Sequence, residues 1–165
     1  MAKESSFDIV SSVDMQEVDN AFGQAKKELV QRYDLKDSGA EISFDKNAKT
    51  LTIAAPSDFV GRQVMDVLNT KLVKRGIDLN ALNWGDPIAA TGQSIRLVAT
   101  IIEGIDRDSA SRINKDIKAT KIKVKVQIEG EKLRVSSASR DALQDIIAFL
   151  KEKDYGQPLQ YINYR

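Results

Sequence analysis

One order of secondary-structure signals occurs twice along the chain, and this repetition limits the possible folds more than any single motif does. Each copy contains a short alternating strand, an amphipathic helix, a β-hairpin, a second helix and a last strand. Three matched pairs share an offset of 82 residues: Leu51 with Leu133, Ser57 with Ser139 and Leu68 with Leu150. Self-similarity at a fixed spacing indicates a duplicated structural unit.

The first copy carries the signals of two helices. Asp14, with Glu17 three residues later, resembles a capping box at the start of the first helix. Its apolar positions recur every three or four residues and form one stripe: Met15, Val18, Phe22, Ala25, Leu29 and Tyr33. Ser57 is placed to cap the second helix, whose stripe is Val60, Val64, Val67, Leu68 and Leu72. Both helices are therefore expected to bury one face.

The segment between these helices alternates apolar and polar residues, as a hairpin does. A two-residue turn at Asn47-Ala48 places Phe44 opposite Leu51 and Ile42 opposite Ile53. This register keeps all four apolar side chains on one face of the sheet. A further strand is expected at 82–84.

The second copy repeats this order. We expect a strand at 95–102, a helix from about Asp106, a hairpin, a helix capped by Ser139 and a strand at 159–164. The order βαββαβ predicts an α+β fold of two tandem ferredoxin-like domains, each an antiparallel four-stranded sheet with two helices on one face. The predicted domains are 1–90, which is acidic and has the longer first helix, and 91–165. The first strand of either domain could instead pair with the other domain's sheet.

Histidine and cysteine are both absent from the 165 residues. Their absence removes disulfides, thiolate nucleophiles and the side chains that most often act as general bases or as transition-metal ligands. No cluster of carboxylates suggests a magnesium site, and no P-loop or Rossmann fingerprint occurs. We therefore expect neither catalysis nor a metal nor another cofactor.

The first six residues lack the apolar core of a signal peptide, and no apolar run approaches the roughly 20 residues of a membrane span. The sequence predicts a cytoplasmic protein with no membrane partner.

Charge is unevenly divided between the two copies. Residues 1–90 have a net charge of −3 and residues 91–165 have +4, within a total of +1. In the second hairpin, a turn at Glu129-Gly130 places Lys125 directly across from Arg134, on a face that also carries Lys121 and Lys123. Like charges facing each other across strands are destabilising, so such a ladder suggests an anionic ligand. The alternative is that these lysines only prevent aggregation at an exposed strand.

The candidate phosphate-binding residues are Lys121, Lys123, Lys125 and Arg134, followed by Arg96 and Arg140. The two middle strands of the predicted sheets carry no aromatic residue, which disfavours base stacking of the kind used by RNA-recognition motifs. Tyr161, Tyr164 and Trp84 remain as stacking candidates, although rings at these positions more often pack in a core or an interface.

Several segments resemble the bacterial YajQ family of nucleotide-binding proteins, in order along nearly the whole chain. They are 7–11, 32–36, 57–59, 71–77, 118–124, 133–135 and 158–165. The resemblance implies two ferredoxin-like domains and binding of a nucleotide or nucleic acid without established catalysis.

These observations together predict a non-catalytic, regulatory nucleotide-binding protein. Its phosphate contacts would lie on the basic sheet face or in a cleft between the domains. GTP, ATP, a cyclic dinucleotide or RNA would each suit such a site. The alternative is a protein-interaction or chaperone-like module that binds a protein partner and no nucleotide.

Overall fold

The computed structural model describes residues 4–165, which form four α-helices and nine β-strands. The helices are α1 (Met15–Gln31), α2 (Asp58–Lys74), α3 (Arg107–Ala119) and α4 (Arg140–Lys151). The strands are β1 (Ser5–Val10), β2 (Glu41–Asp45), β3 (Thr50–Ala55), β4 (Leu82–Trp84), β5 (Ile88–Ala89), β6 (Ile95–Ile101), β7 (Lys125–Glu129), β8 (Lys132–Ser137) and β9 (Gln160–Ile162). No helix in the described range is long and apolar enough to cross a membrane.

The strands form two antiparallel sheets, and the first strand of each copy lies in the sheet of the other copy. One sheet has the order β7-β8-β1-β9, and the other has the order β2-β3-β6-β4, with β5 also paired to β6. Helices α3 and α4 belong with the first of these sheets, and α1 and α2 belong with the second. The predicted α+β fold of two ferredoxin-like units is therefore confirmed.

The compact units therefore differ from the consecutive ranges 1–90 and 91–165. One unit comprises 13–102, and within the described residues the other comprises 4–12 together with 103–165. The difference arises because β1 pairs with β8 and β9, whereas β6 pairs with β3 and β4. Each exchanged strand occupies the central position between a hairpin strand and the last strand of the other copy.

In the unit formed by 13–102, helix α1 begins where it is predicted. The Asp14 carboxylate accepts hydrogen bonds from the backbone N–H groups of Gln16 and Glu17 at 3.1 and 3.3 Å. The predicted stripe is wrong at its last position, because α1 ends at Gln31 and Tyr33 is 89% exposed. The side chains of α1 that are buried in the core are Val18, Ala21, Ala25 and Leu29.

The hairpin of this unit has the predicted register, with Phe44 opposite Leu51. The predicted two-residue turn is wrong, however, because Asp45 pairs with Thr50 and the loop spans 46–49. The Asp45 carboxylate accepts the backbone N–H groups of residues 47 and 48, both at 3.0 Å, and Lys49 has a φ of +56°. These hydrogen bonds stabilise the longer loop without changing which face is buried.

In the other unit, β1 contributes Phe7 and Ile9 to the core, where both are fully buried together with Leu133 and Val135 of β8. The Ser139 hydroxyl accepts the backbone N–H of Ala142 at 3.2 Å, which confirms the predicted start of α4. The opposite face of this sheet carries the basic residues of the hairpin.

Candidate phosphate-binding site

The basic hairpin has a register that differs by two residues from the predicted one. Glu129 pairs with Lys132 across a turn formed by Gly130 and Glu131, and Gly130 has a φ of +61°. Arg134 therefore faces Gln127, and the predicted pairing of Arg134 with Lys125 is wrong. A two-residue shift leaves every side chain on its predicted face but removes the direct opposition of like charges.

The Asp8 carboxylate of β1 lies among the cationic side chains of this face. Asp8 is 1% exposed, and its oxygens accept hydrogen bonds from Arg134 Nε at 3.2 Å, from Lys132 Nζ at 3.4 Å and from Asn163 Nδ2 at 2.8 Å. Burial acts to raise the pKa of Asp8, but the hydrogen bonds from Asn163 and Arg134 and the charge of Lys132 hold that pKa below its ordinary value. Asp8 is therefore a buried carboxylate anion.

Arg134 has a second carboxylate partner, since its Nη1 atom lies 3.7 Å from Glu129 Oε1. Two acidic side chains thus compensate the charge of this arginine. The sequence signal for Asp8 is its position between Phe7 and Ile9, which places a carboxylate on the polar face of a buried strand. Its partners become evident only once β1 is known to lie beside β8.

Lys123 and Lys125 line a groove of about 550 Å³ at the end of the sheet where β7 begins. We call it the lysine groove; its other lining residues are Glu4, Val124, Ser136, Ser137, Ala138, Ser139 and Ala142. Both lysines are exposed, and neither forms an ion pair with any residue in 4–165. The Ser137 hydroxyl donates to the Lys123 carbonyl at 2.9 Å and accepts the Ser139 N–H at 3.1 Å, which fixes the backbone of Lys123 beside the start of α4.

The N-terminus of α4 adds backbone donors to the lysine groove. The N–H groups of Arg140 and Asp141 have no hydrogen-bond partner in the part of the chain that the structure describes. Such groups carry the partial positive charge of a helix N-terminus, which favours anions. The nearby carboxylates are those of Glu4, which lines the groove, and Asp141, in the first turn of α4.

A second concavity of about 320 Å³ adjoins the lysine groove. We call it the Tyr164 pocket; its lining residues are Ser5, Ser6, Arg140, Leu143, Gln144, Tyr164 and Arg165. The two sites are neighbours because Ser5 in the pocket pairs with Ser137 in the groove, and Arg140 directly follows Ser139. Arg140 Nε donates to the Ser5 hydroxyl at 3.4 Å.

The structure brings three of the six sequence-predicted residues to this end of the sheet, namely Lys123, Lys125 and Arg140. Lys121 is exposed in the turn that follows α3, where its φ is +61°. Arg134 lies on the sheet face and is paired with Asp8, and Arg96 is exposed on β6 in the unit formed by 13–102.

Two of the three stacking candidates are packed against a core, as expected. Tyr161 lies on the core side of β9, with its ring centroid 6.0 Å from that of Phe7, and Trp84 packs against the core of its own unit. Tyr164 differs from both, because it is 60% exposed and lines a pocket.

The fold and this site define a duplicated ferredoxin-like protein with a groove at one end of a sheet, lined by two lysines that form no ion pair within residues 4–165. The model of the family described as nucleotide-binding protein YajQ-like matches residues 5–165. The chain belongs to this family, as its motifs indicate.

Relatives from several bacteria align with the whole chain. A nucleotide-binding protein of Chloroherpeton thalassium is 42% identical over 165 residues, and one of Alkaliphilus oremlandii is 47% identical over 165 residues. In both alignments all of this chain and all of the relative are covered. A nucleotide-binding protein of Bacillus cereus is 46% identical with the same coverage.

Proposed function

We propose that this protein binds a nucleotide, without catalysis, and holds its phosphates in the lysine groove. The observation that carries the proposal is the position of Lys123 and Lys125 beside the N-terminus of α4, where both are exposed and have no ion-pair partner among the described residues. Phosphate oxygens accept strong hydrogen bonds from ammonium groups and from the free N–H groups of a helix N-terminus. Arg140 extends this cationic surface into the Tyr164 pocket.

The names of the relatives support this class of ligand, since both relatives are called nucleotide-binding proteins. A groove that neutralises phosphates with two lysines and backbone donors suits GTP, ATP or a cyclic dinucleotide. RNA presented to the open sheet face is less well supported. The central strands β8 and β1 carry no ring on that face, and Asp8 already neutralises its arginine.

The absence of catalysis is part of the proposal, and so is a regulatory role. Histidine and cysteine are missing from the sequence, and no group of three carboxylates within residues 4–165 is placed to hold a metal ion. When a protein binds a nucleotide without converting it, the nucleotide can act only by shifting the protein's conformational equilibrium or by changing which partners the protein binds.

The test compares a groove variant with a charge-matched control. Lys123→Gln with Lys125→Gln removes the groove cations, whereas Lys27→Gln with Lys46→Gln removes two exposed lysines of the other unit. We expect isothermal titration with GTP, ATP and cyclic dinucleotides to show at least about tenfold weaker binding for the groove variant at about 50 mM salt, with a smaller loss at about 200 mM. The control should bind as the unmodified protein does.

Equal binding by the two variants would place the phosphates elsewhere. If no member of the panel raised the melting temperature or released heat on titration at low salt, nucleotide binding itself would be contradicted, because a ligand that binds only the native state stabilises it.

A further inference from the structure

We infer that the Tyr164 pocket receives the nucleobase of the ligand, with the ring of Tyr164 as the stacking surface. This inference rests on the proposed function and assigns a second, chemically different part of the nucleotide to a second site. The volume of the Tyr164 pocket, about 320 Å³, lies at the lower end of the range for small-molecule pockets.

The lining of the Tyr164 pocket combines the chemistry that base recognition requires. Leu143 is 6% exposed and supplies an apolar wall, and Tyr164 presents an aromatic ring to solvent. The Gln144 amide carries both a donor and an acceptor, and the Ser5 hydroxyl adds a further polar group. A flat heteroaromatic group with polar edges matches this arrangement better than a peptide or a lipid does.

Strand pairing and one ring contact position Tyr164 at the pocket. The next residue, Arg165, exchanges backbone hydrogen bonds with Ser6 at 3.0 and 3.3 Å, which continues the strand pairing beyond β9. The Tyr164 ring centroid lies 6.2 Å from that of the buried Phe7. These contacts reduce the conformational entropy that the ring would lose on binding.

Arg140 lies on the side of the pocket that adjoins the lysine groove. Its Nε is directed to Ser5, and the guanidinium has further N–H groups for a phosphate oxygen. A nucleotide with its base against Tyr164 would then reach the groove with its phosphates. We expect purines to bind more tightly than pyrimidines, because a bicyclic base covers more of the ring.

The test separates the base from the phosphates. ATP, GTP, CTP, UTP and tripolyphosphate are titrated into the unmodified protein and into Tyr164→Leu, Tyr164→Phe and Tyr33→Leu. The last variant is a control, since Tyr33 is an exposed tyrosine of the other unit. We expect Tyr164→Leu to weaken ATP and GTP about 5- to 100-fold and to leave tripolyphosphate unchanged, whereas Tyr164→Phe and Tyr33→Leu stay within about twofold.

Failure of this inference differs from failure of the proposed function. If Tyr164→Leu does not weaken nucleotide binding, or if tripolyphosphate binds as tightly as the nucleotides do, the base pocket is overturned. Either result leaves phosphate binding in the lysine groove intact. If neither nucleotides nor tripolyphosphate bind the unmodified protein, both proposals are overturned. Circular dichroism checks that each variant is folded. We expect all of them to fold, because Tyr33 and Tyr164 are largely exposed.

Discussion

Asp8 and Arg134 lie opposite each other on β1 and β8, 126 residues apart in sequence, and Arg134 Nε donates to Asp8 Oδ1 at 3.2 Å. This pair joins the first strand of one copy to the hairpin of the other. It also explains how a hairpin rich in basic residues is stable, because the exchanged strand brings a carboxylate between the cations.

Replacing Asp8 by asparagine should destabilise the protein by about 2 to 3 kcal/mol at about pH 7. The substitution keeps the shape of the side chain but leaves Arg134 and Lys132 without their buried carboxylate. Urea unfolding followed by circular dichroism measures the change. Asp19→Asn, at an exposed position of α1, is the control and should change the free energy of unfolding by less than about 0.5 kcal/mol. A loss no larger than that of the control would show that the pair does not stabilise the fold.

The contribution of Asp8 should depend on pH in a defined direction. Its pKa is lower in the folded protein than in the unfolded chain, so its stabilising effect is present above the unfolded pKa and is lost as pH falls through the folded pKa. We expect the stability difference between the unmodified protein and Asp8→Asn to shrink between about pH 5 and about pH 2. Unfolding curves at several pH values measure this difference. A difference that stays constant over that range would contradict the assignment.

The strand exchange predicts which fragment folds independently. A fragment of residues 13–102 contains β6 and every strand of its sheet, whereas a fragment of 1–90 lacks β6. In the 1–90 fragment, β1 could take the place of the missing β6 only by bringing the Asp8 carboxylate into a sheet that has no Arg134. We therefore expect the 13–102 fragment to unfold cooperatively at a clearly higher temperature than the 1–90 fragment, as measured by thermal denaturation. Equal melting temperatures would mean that β1 serves both sheets equally well.

Two helical glycines should respond in opposite directions to added side-chain atoms. A Cβ on Gly23 of α1 would have open space for 4 Å around it, so Gly23→Ala should stabilise the helix by about 1 kcal/mol. A Cβ on Gly61 of α2 would lie 3.1 Å from Ile95 Cδ1 and 3.2 Å from Leu97 Cδ1, so Gly61→Val should cost about 1 to 3 kcal/mol. Chemical denaturation of both variants checks the signs. Stabilisation by Gly61→Val would show that α2 is not held close to β6.

The local features of the fold could be predicted from the sequence. The caps at Asp14, Ser57 and Ser139 and the register of the first hairpin depend on residues close in sequence, and the structure confirms them. The register of the second hairpin could not be predicted. Turns at Glu129-Gly130 and at Gly130-Glu131 both include the glycine and bury the same face, so the apolar pattern does not distinguish them.

The candidate site is predictable only in part. The spacing of Lys123 and Lys125 identifies them as candidates, but spacing contains no information on what lies beside them. Their position next to α4, and that of Tyr164 next to Arg140, depends on β1 pairing with β8. Pairing over such a sequence distance depends on the whole sheet and leaves no local pattern.

The position of β1 also sets an order of events during protein synthesis. This strand is made before its partner β8, which is completed only at residue 137, about 6 to 25 s later at ordinary rates of translation. The unit formed by 13–102 has all its strands well before that point. Until then Phe7 and Ile9 have no core to enter, so the nascent chain carries an unpaired apolar strand that chaperones would have reason to cover.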